Sequence, residues 1–166
     1  DCPIRIVDKF TQCHSLYWGN FWGGDDCASE FKKAQGKMPF VIHIGEGIDE
    51  GTKGELARLH QMGCLDSNTL LVHGISFREK EADLLVQTGA SLVWCPDSNI
   101  YLIGRTADIP LLMGKGVNIA LGTDSSMSGS QSIFEEFRSA KEAYRRMTGK
   151  SMGDNLLFRF ISKNIL

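Results

Sequence analysis

Four short, continuous apolar runs rich in branched residues recur along the chain: 38–44 (MPFVIHI), 69–73 (TLLVH), 91–95 (SLVWC) and 117–121 (VNIAL). None alternates apolar with polar positions, which is the pattern of strands buried on both faces of a parallel sheet. A weaker run at 4–7 is a fifth strand candidate. Between the runs, apolar residues return at helical spacing. The stretch 54–62 puts Leu56 and Leu59 on one face, and a helix over 25–35 precedes the first strong strand. Ser76 followed by Glu79 has capping-box spacing and predicts a helix through Leu84 and Leu85 to Gly89. A shorter helix is predicted over 106–113, stopped by Gly114. Ser132 with Glu135 repeats the capping-box spacing and opens a helix to about residue 147.

Strand and helix thus alternate in units of roughly 20 to 30 residues, as right-handed βαβ crossovers require. The order predicts a parallel α/β sheet in a single domain over 1–166. Pattern alone leaves two architectures open, an open doubly wound sheet or an arc of an eight-stranded barrel. No GxGxxG or P-loop follows a predicted strand, and Gly51-Thr-Lys-Gly54 is too short for one, which disfavours a nucleotide-binding sheet.

Composition changes this picture little. With 42% hydrophobic and 23% charged residues the chain reads as an ordinary globular domain. A net charge of -2 gives no basic surface for nucleic acid or an anionic membrane, and no apolar run approaches the roughly 20 residues that span a bilayer. The five cysteines, Cys2, Cys13, Cys27, Cys64 and Cys95, are odd in number, widely spaced and without a C-x-x-C pair. They read as free thiols in a reducing cytoplasm rather than a disulfide framework or zinc ribbon.

Chemistry gathers at one end of the predicted sheet. The strong strands end in His43-Ile-Gly-Glu46, His73-Gly74, Cys95-Pro-Asp-Ser-Asn99 and Gly122-Thr-Asp-Ser125. Any one of these alone has a bland explanation: a lone buried histidine usually belongs to the core, Asp124 could cap a turn, and Glu46 could be a solvated residue at a helix entrance. Four in register are harder to ascribe to packing, because barrels and doubly wound sheets both place their sites at the carboxyl ends of the strands.

In this order the four motifs resemble the amidohydrolase superfamily, and within it the chlorohydrolase and cytosine-deaminase-like group. The resemblance implies a partial TIM (β/α)8 barrel in which this chain supplies roughly strands four to eight with their helices. It implies His43 as a metal ligand, Asp124 as a carboxylate that touches the metal and accepts a proton from the attacking water, and His73 as the group that polarises the substrate. Glu46 matches the His-x-x-Glu carboxylate that passes protons to the leaving group. Ser98 and Asn99 fall on the loop after the seventh barrel strand, where the pocket is lined. His14 is either substrate-facing or incidental.

The implied reaction is deamination of a heterocyclic or nucleobase-like small molecule by metal-activated water, zinc being the first choice and iron or manganese the alternatives. Amide or carbon–halogen hydrolysis by the same site is the alternative reaction. Neutral imidazole and carboxylate suit such a metal, and carboxylates are needed to take up and return protons. A binuclear relative would use a lysine on the fourth strand, and Lys9 has no context favouring that. Cys95 is expected to pack, Pro96 to end its strand, and His60 to lie on the surface. Trp18, Phe21 and Trp22 are either core or a covering loop.

The His-x-His pair that the family places on its first strand is absent: the four histidines are His14, His43, His60 and His73. The chain also begins Asp1-Cys2-Pro3 and runs to Leu166 within a predicted helix, which reads as an excerpted barrel. The expectation is therefore weak metal binding and little turnover by this chain alone, and self-association through uncovered strand edges into a homo-oligomer. A non-catalytic assembly module is the reading of another class.

Overall fold

The computed structural model describes residues 8–16 and 26–164. The predicted strand at 4–7, Cys2, and the group Trp18, Phe21 and Trp22 lie outside the described residues.

Five strands, β1 (Thr11–Cys13), β2 (Phe40–Ile44), β3 (Thr69–His73), β4 (Ser91–Trp94) and β5 (Ile119–Leu121), form one parallel sheet in the order β1-β2-β3-β4-β5. Every strand pairs with its sequence neighbour. A doubly wound sheet reverses its strand order at a switch point, whereas an arc of a barrel does not. The order decides what the sequence pattern left open, and the fold is a partial TIM-type barrel with five parallel strands among the described residues.

Eight helices connect or follow the strands among the described residues: α1 (Cys27–Ala34), α2 (Glu50–Lys53), α3 (Glu55–Gln61), α4 (Glu79–Thr88), α5 (Pro96–Ile103), α6 (Ile109–Lys115), α7 (Ile133–Thr148) and α8 (Asp154–Ser162). Register lines up Cys13, Ile42, Leu71, Leu92 and Ile119 across the sheet, and all five are buried in the core shared with the helices. The alternate row, which includes Gln12, Val41 and Leu70, is more open. A barrel strand sends alternate side chains outward to the helices and inward to the lumen, so the buried row marks the helix side.

Local chemistry sets the helix boundaries and corrects several expectations. The Asp26 carboxylate accepts from the Ser29 N–H at 3.0 Å and starts α1. Ser132 caps α7 by accepting from the Glu135 N–H at 3.3 Å. Ser76 does not cap α4: its hydroxyl donates to the Thr52 carbonyl at 3.3 Å, and the Glu81 carboxylate accepts from the Arg78 N–H at 2.9 Å, two residues further on. The helix predicted over 106–113 starts instead after Asp108, whose carboxylate accepts from the Leu111 N–H at 3.1 Å, and ends at Gly116 with φ 88°.

The largest correction is α5. The resemblance puts Ser98 and Asn99 on a loop, whereas Pro96 opens a helix that carries both of them. Proline fixes φ near the helical value and its missing N–H is no loss at the first helical position, so Pro96 ends the strand by starting a helix.

Candidate functional site

The carboxyl ends of β2, β3 and β5 and the first turn of α5 converge. His43 lies near the end of β2, and its ring centroid is 5.3 Å from that of His73 and 5.1 Å from that of His14. His43 Nε2 is 3.8 Å from Asp124 Oδ1, while its Nδ1 sits 3.2 Å from the His14 carbonyl oxygen. With Nδ1–H donating to that carbonyl, Nε2 presents a lone pair toward Asp124.

His73 and Asp124 are the two non-glycine residues with positive φ among the described residues, at 82° and 58°. Such conformations are uncommon for side-chain-bearing residues and collect at functional sites. Register pairs His73 with Ile44 of the helix-facing row. The positive φ takes His73 out of that alternation and lays its ring against His43.

Partners hold each group. His73 Nδ1 is 2.7 Å from Asn99 Oδ1; Asn99 Nδ2 donates to Thr106 Oγ1 at 3.0 Å, and Trp94 Nε1 donates to the same oxygen at 2.7 Å. This chain leaves Nδ1 protonated and Nε2 directed at Glu46 Oε2, 3.4 Å away. Asp124 Oδ2 accepts from Ser98 Oγ and, at 3.2 Å, from Ser128 Oγ. The Gly45 N–H between His43 and Glu46 donates to the Glu55 carboxylate of α3 at 2.7 Å, fixing a turn in which Gly45 has φ 67°.

The electrostatics separate the two carboxylates. Burial works to raise the Asp124 carboxyl, but hydrogen bonds from Ser98 and Ser128 and the nearness of the His73 and His43 rings outweigh it and hold the group below its ordinary value. Burial raises Glu46, and Asp124 adds to that against the pull of His43. Burial also lowers both His43 and His73, keeping the imidazoles neutral. Asp124 is thus pushed toward its ionised form and Glu46 toward its protonated form, the separation that acid–base chemistry uses.

One donor atom each from His43, His73 and Asp124 lies within 4.8 Å of the others, close enough to converge on one ion. Neutral imidazole and carboxylate are the donors that zinc and its divalent neighbours take. The residues present therefore fit a metal, with His73 as a third candidate donor beside the two that the resemblance implied.

A match to the amidohydrolase family runs over residues 26–163. The chain belongs to that family. Among curated relatives, the amidohydrolase described here is 39% identical over 114 residues to the 5-methylthioadenosine/S-adenosylhomocysteine deaminase of Haloquadratum walsbyi, covering 64% of this chain and 26% of that protein. It is 31% identical over 136 residues to the protein of the same name from Halobacterium salinarum, covering 76% of this chain and 32% of the relative. Among solved structures it resembles a zinc-bound adenosine deaminase from Xanthomonas campestris, with TM-score 0.73 and 24% identity over 91% of this chain and 36% of that one. Guanine deaminase of E. coli gives TM-score 0.73 at 23% identity, over 83% and 34% of the respective chains. The amidohydrolase chain thus spans about a quarter to a third of the length of the proteins it matches.

The sequence-derived residues His43, Glu46, His73, Ser98, Asn99 and Asp124 come together, and His14 lies beside His43. His60 is exposed and takes no part, and Cys95 is buried with its thiol pushed up by burial. Sequence reasoning missed Ser128, Thr106, Glu55 and Glu136. A signal existed for the last: Glu136, Ala140 and Ala143 share the buried stripe of α7, and a glutamate in such a stripe needs a reason.

Proposed function

We propose that this amidohydrolase segment carries the acid–base half of a metal-dependent aminohydrolase, which replaces an exocyclic amine of a heterocyclic, nucleoside-like substrate with oxygen from water. The convergence of His43, His73 and Asp124, with Glu46 beside His73, carries this reading. The names of the relatives, 5-methylthioadenosine/S-adenosylhomocysteine deaminase, support an amine leaving group.

A divalent metal, zinc first among the candidates, would be held by His43, His73 and Asp124 and would supply a water with a pKa near 7. Asp124, kept ionised by Ser98 and Ser128, accepts the proton of the attacking water through the oxygen not committed to the serines. Glu46, inclined to hold its proton by burial, delivers one to the departing amine. His73 Nε2 faces Glu46 Oε2 at 3.4 Å, and Asn99 fixes the tautomer that leaves this nitrogen without a proton. Ser98 and Asn99 thus orient the reacting groups, and His14 borders the open side of the site.

Among the described residues three candidate donors converge, and the sequence lacks the His-x-His pair, so weak metal retention and little turnover are the expected behaviour of the isolated segment. Ammonia release from adenine, guanine and cytosine compounds, measured on the segment within its complete barrel, tests the proposal. Turnover that is lost in Glu46→Gln supports it. Turnover of amides or aryl halides without ammonia release would move the reaction to the alternative class, and no hydrolysis of any of these would leave the assembly-module reading.

A further inference from the structure

Glu136 is a buried carboxyl group that the proposed chemistry does not use. It has no exposed surface, lies on the core side of α7, and accepts through Oε1 from the Asp97 N–H at 3.0 Å. Its other oxygen, Oε2, has no hydrogen-bond partner among the described residues. Burying an unmatched polar atom is unfavourable, and an apolar residue would continue the Ala140 and Ala143 stripe without that cost.

The bonded oxygen holds the first turn of α5. That helix has no side-chain cap from its own Cys95, so the Asp97 N–H is one of the donors left without an intrahelical acceptor. Glu136 supplies the acceptor from a different helix. Asp97 completes the clamp: its carboxylate accepts from Ser139 Oγ on α7 at 3.0 Å and from Ser130 Oγ, just before α7, at 2.9 Å. The next two residues of the same turn are Ser98 and Asn99, both buried, one bonded to Asp124 and the other to His73. Successive residues on a helix are rigidly offset in direction, so any slip or rotation of this turn misaims both side chains together.

We propose that Glu136, acting with Asp97, is a positioning residue: it locks the first turn of α5 to α7 and so aims Ser98 at Asp124 and Asn99 at His73. The consequence for catalysis rests on the hydrolase reading above. The positioning itself does not.

Amide hydrogen exchange and side-chain NMR on the 166-residue chain, with no metal or substrate added, test the proposal. In Glu136→Ala the Asn99 and Ile100 amides should exchange about tenfold faster or more, while those of β2 to β4 keep their protection. The Asp124 carboxyl-carbon and Asn99 side-chain amide resonances should move as well. Glu136→Gln keeps an acceptor oxygen for the Asp97 N–H and should retain wild-type exchange and resonances. Ser139→Ala removes one hydroxyl partner of Asp97 and should move the same resonances by less.

If Glu136→Ala does not fold, the glutamine and Ser139 variants carry the test. Unmoved Asp124 and Asn99 resonances in Ser139→Ala and Glu136→Ala would overturn the proposal. So would faster exchange spread evenly over the sheet, or a glutamine variant as perturbed as the alanine one. Absence of deaminase activity in the completed barrel would overturn the hydrolase reading and leave these results standing.

Discussion

His73 Nδ1 lies 2.7 Å from Asn99 Oδ1, and this contact determines which imidazole nitrogen faces the site. Both residues are almost fully buried, so the bond has no water to replace it. Asn99→Leu removes it and also removes the amide that donates to Thr106. The expected cost is about 1–3 kcal/mol of unfolding free energy, read as a lower urea midpoint with an unchanged slope. Asn99→Asp keeps the shape and adds a buried charge. It should raise the His73 pKa, visible in the pH dependence of the ring resonances; a His73 pKa unchanged by the aspartate would show that the contact does not govern the ring.

Ser98 bears on the other candidate ligand. Its hydroxyl is one of two donors that hold Asp124 ionised. Ser98→Ala should let the Asp124 carboxyl rise toward its ordinary value and loosen the donor set. Groups that orient metal ligands commonly matter by about 10- to 100-fold in affinity. A cobalt titration of the chain should show weakening of that order in Ser98→Ala, and loss of the bound fraction in His43→Ala by elemental analysis. Equal cobalt affinity in all three proteins would place the metal elsewhere.

The backbone beside His73 is equally constrained. Gly74 has φ 62°, and a Cβ built there would stand 2.7 Å from Leu92 Cδ1 and 2.9 Å from Phe77 Cδ2. Gly74→Ala therefore combines left-handed strain with overpacking, each of which costs about 1–3 kcal/mol. Thermal unfolding should drop by several degrees, and a variant as stable as wild type would contradict the packing around β3. Gly63 makes the control: its φ is 70° but nothing lies within 4 Å of the added carbon, so Gly63→Ala should carry the strain alone.

The sequence made the four strong strands legible because each is a continuous branched run, and β3 has the boundaries that the pattern predicted, Thr69–His73. It made the polar strand ends legible because His43 lies near the end of one such run, His73 closes another and Asp124 follows a third. It did not reveal β1, since Thr11–Cys13 carries only one strongly apolar side chain and owes its place to pairing with β2. Nor did it reveal α5, where the proline that ends β4 also starts the helix. That omission concealed why Ser98 and Asn99 are adjacent: one turn serves two partners, His73 at the end of β3 and Asp124 just after β5. Glu136 went unseen for a related reason, because its role exists only across the α5–α7 contact.

The state of Glu136 gives a prediction with a definite sign. Burial raises its carboxyl above the ordinary 4.5, against the pull of the hydrogen bond from the Asp97 N–H and of the nearby Ser130. The folded chain then binds this proton more tightly than the unfolded chain does. The stabilisation is complete below pH 4.5 and is lost as pH rises through the folded value, at about 1.4 kcal/mol per unit of elevation. Glu136→Gln has no proton to lose. Urea unfolding of both proteins from pH 4 to 8 should give a stability difference, wild type minus variant, that falls across the lower part of this range and then levels. A difference that rises with pH would mean that the folded state prefers the ionised carboxylate, with the Asp97 N–H outweighing burial.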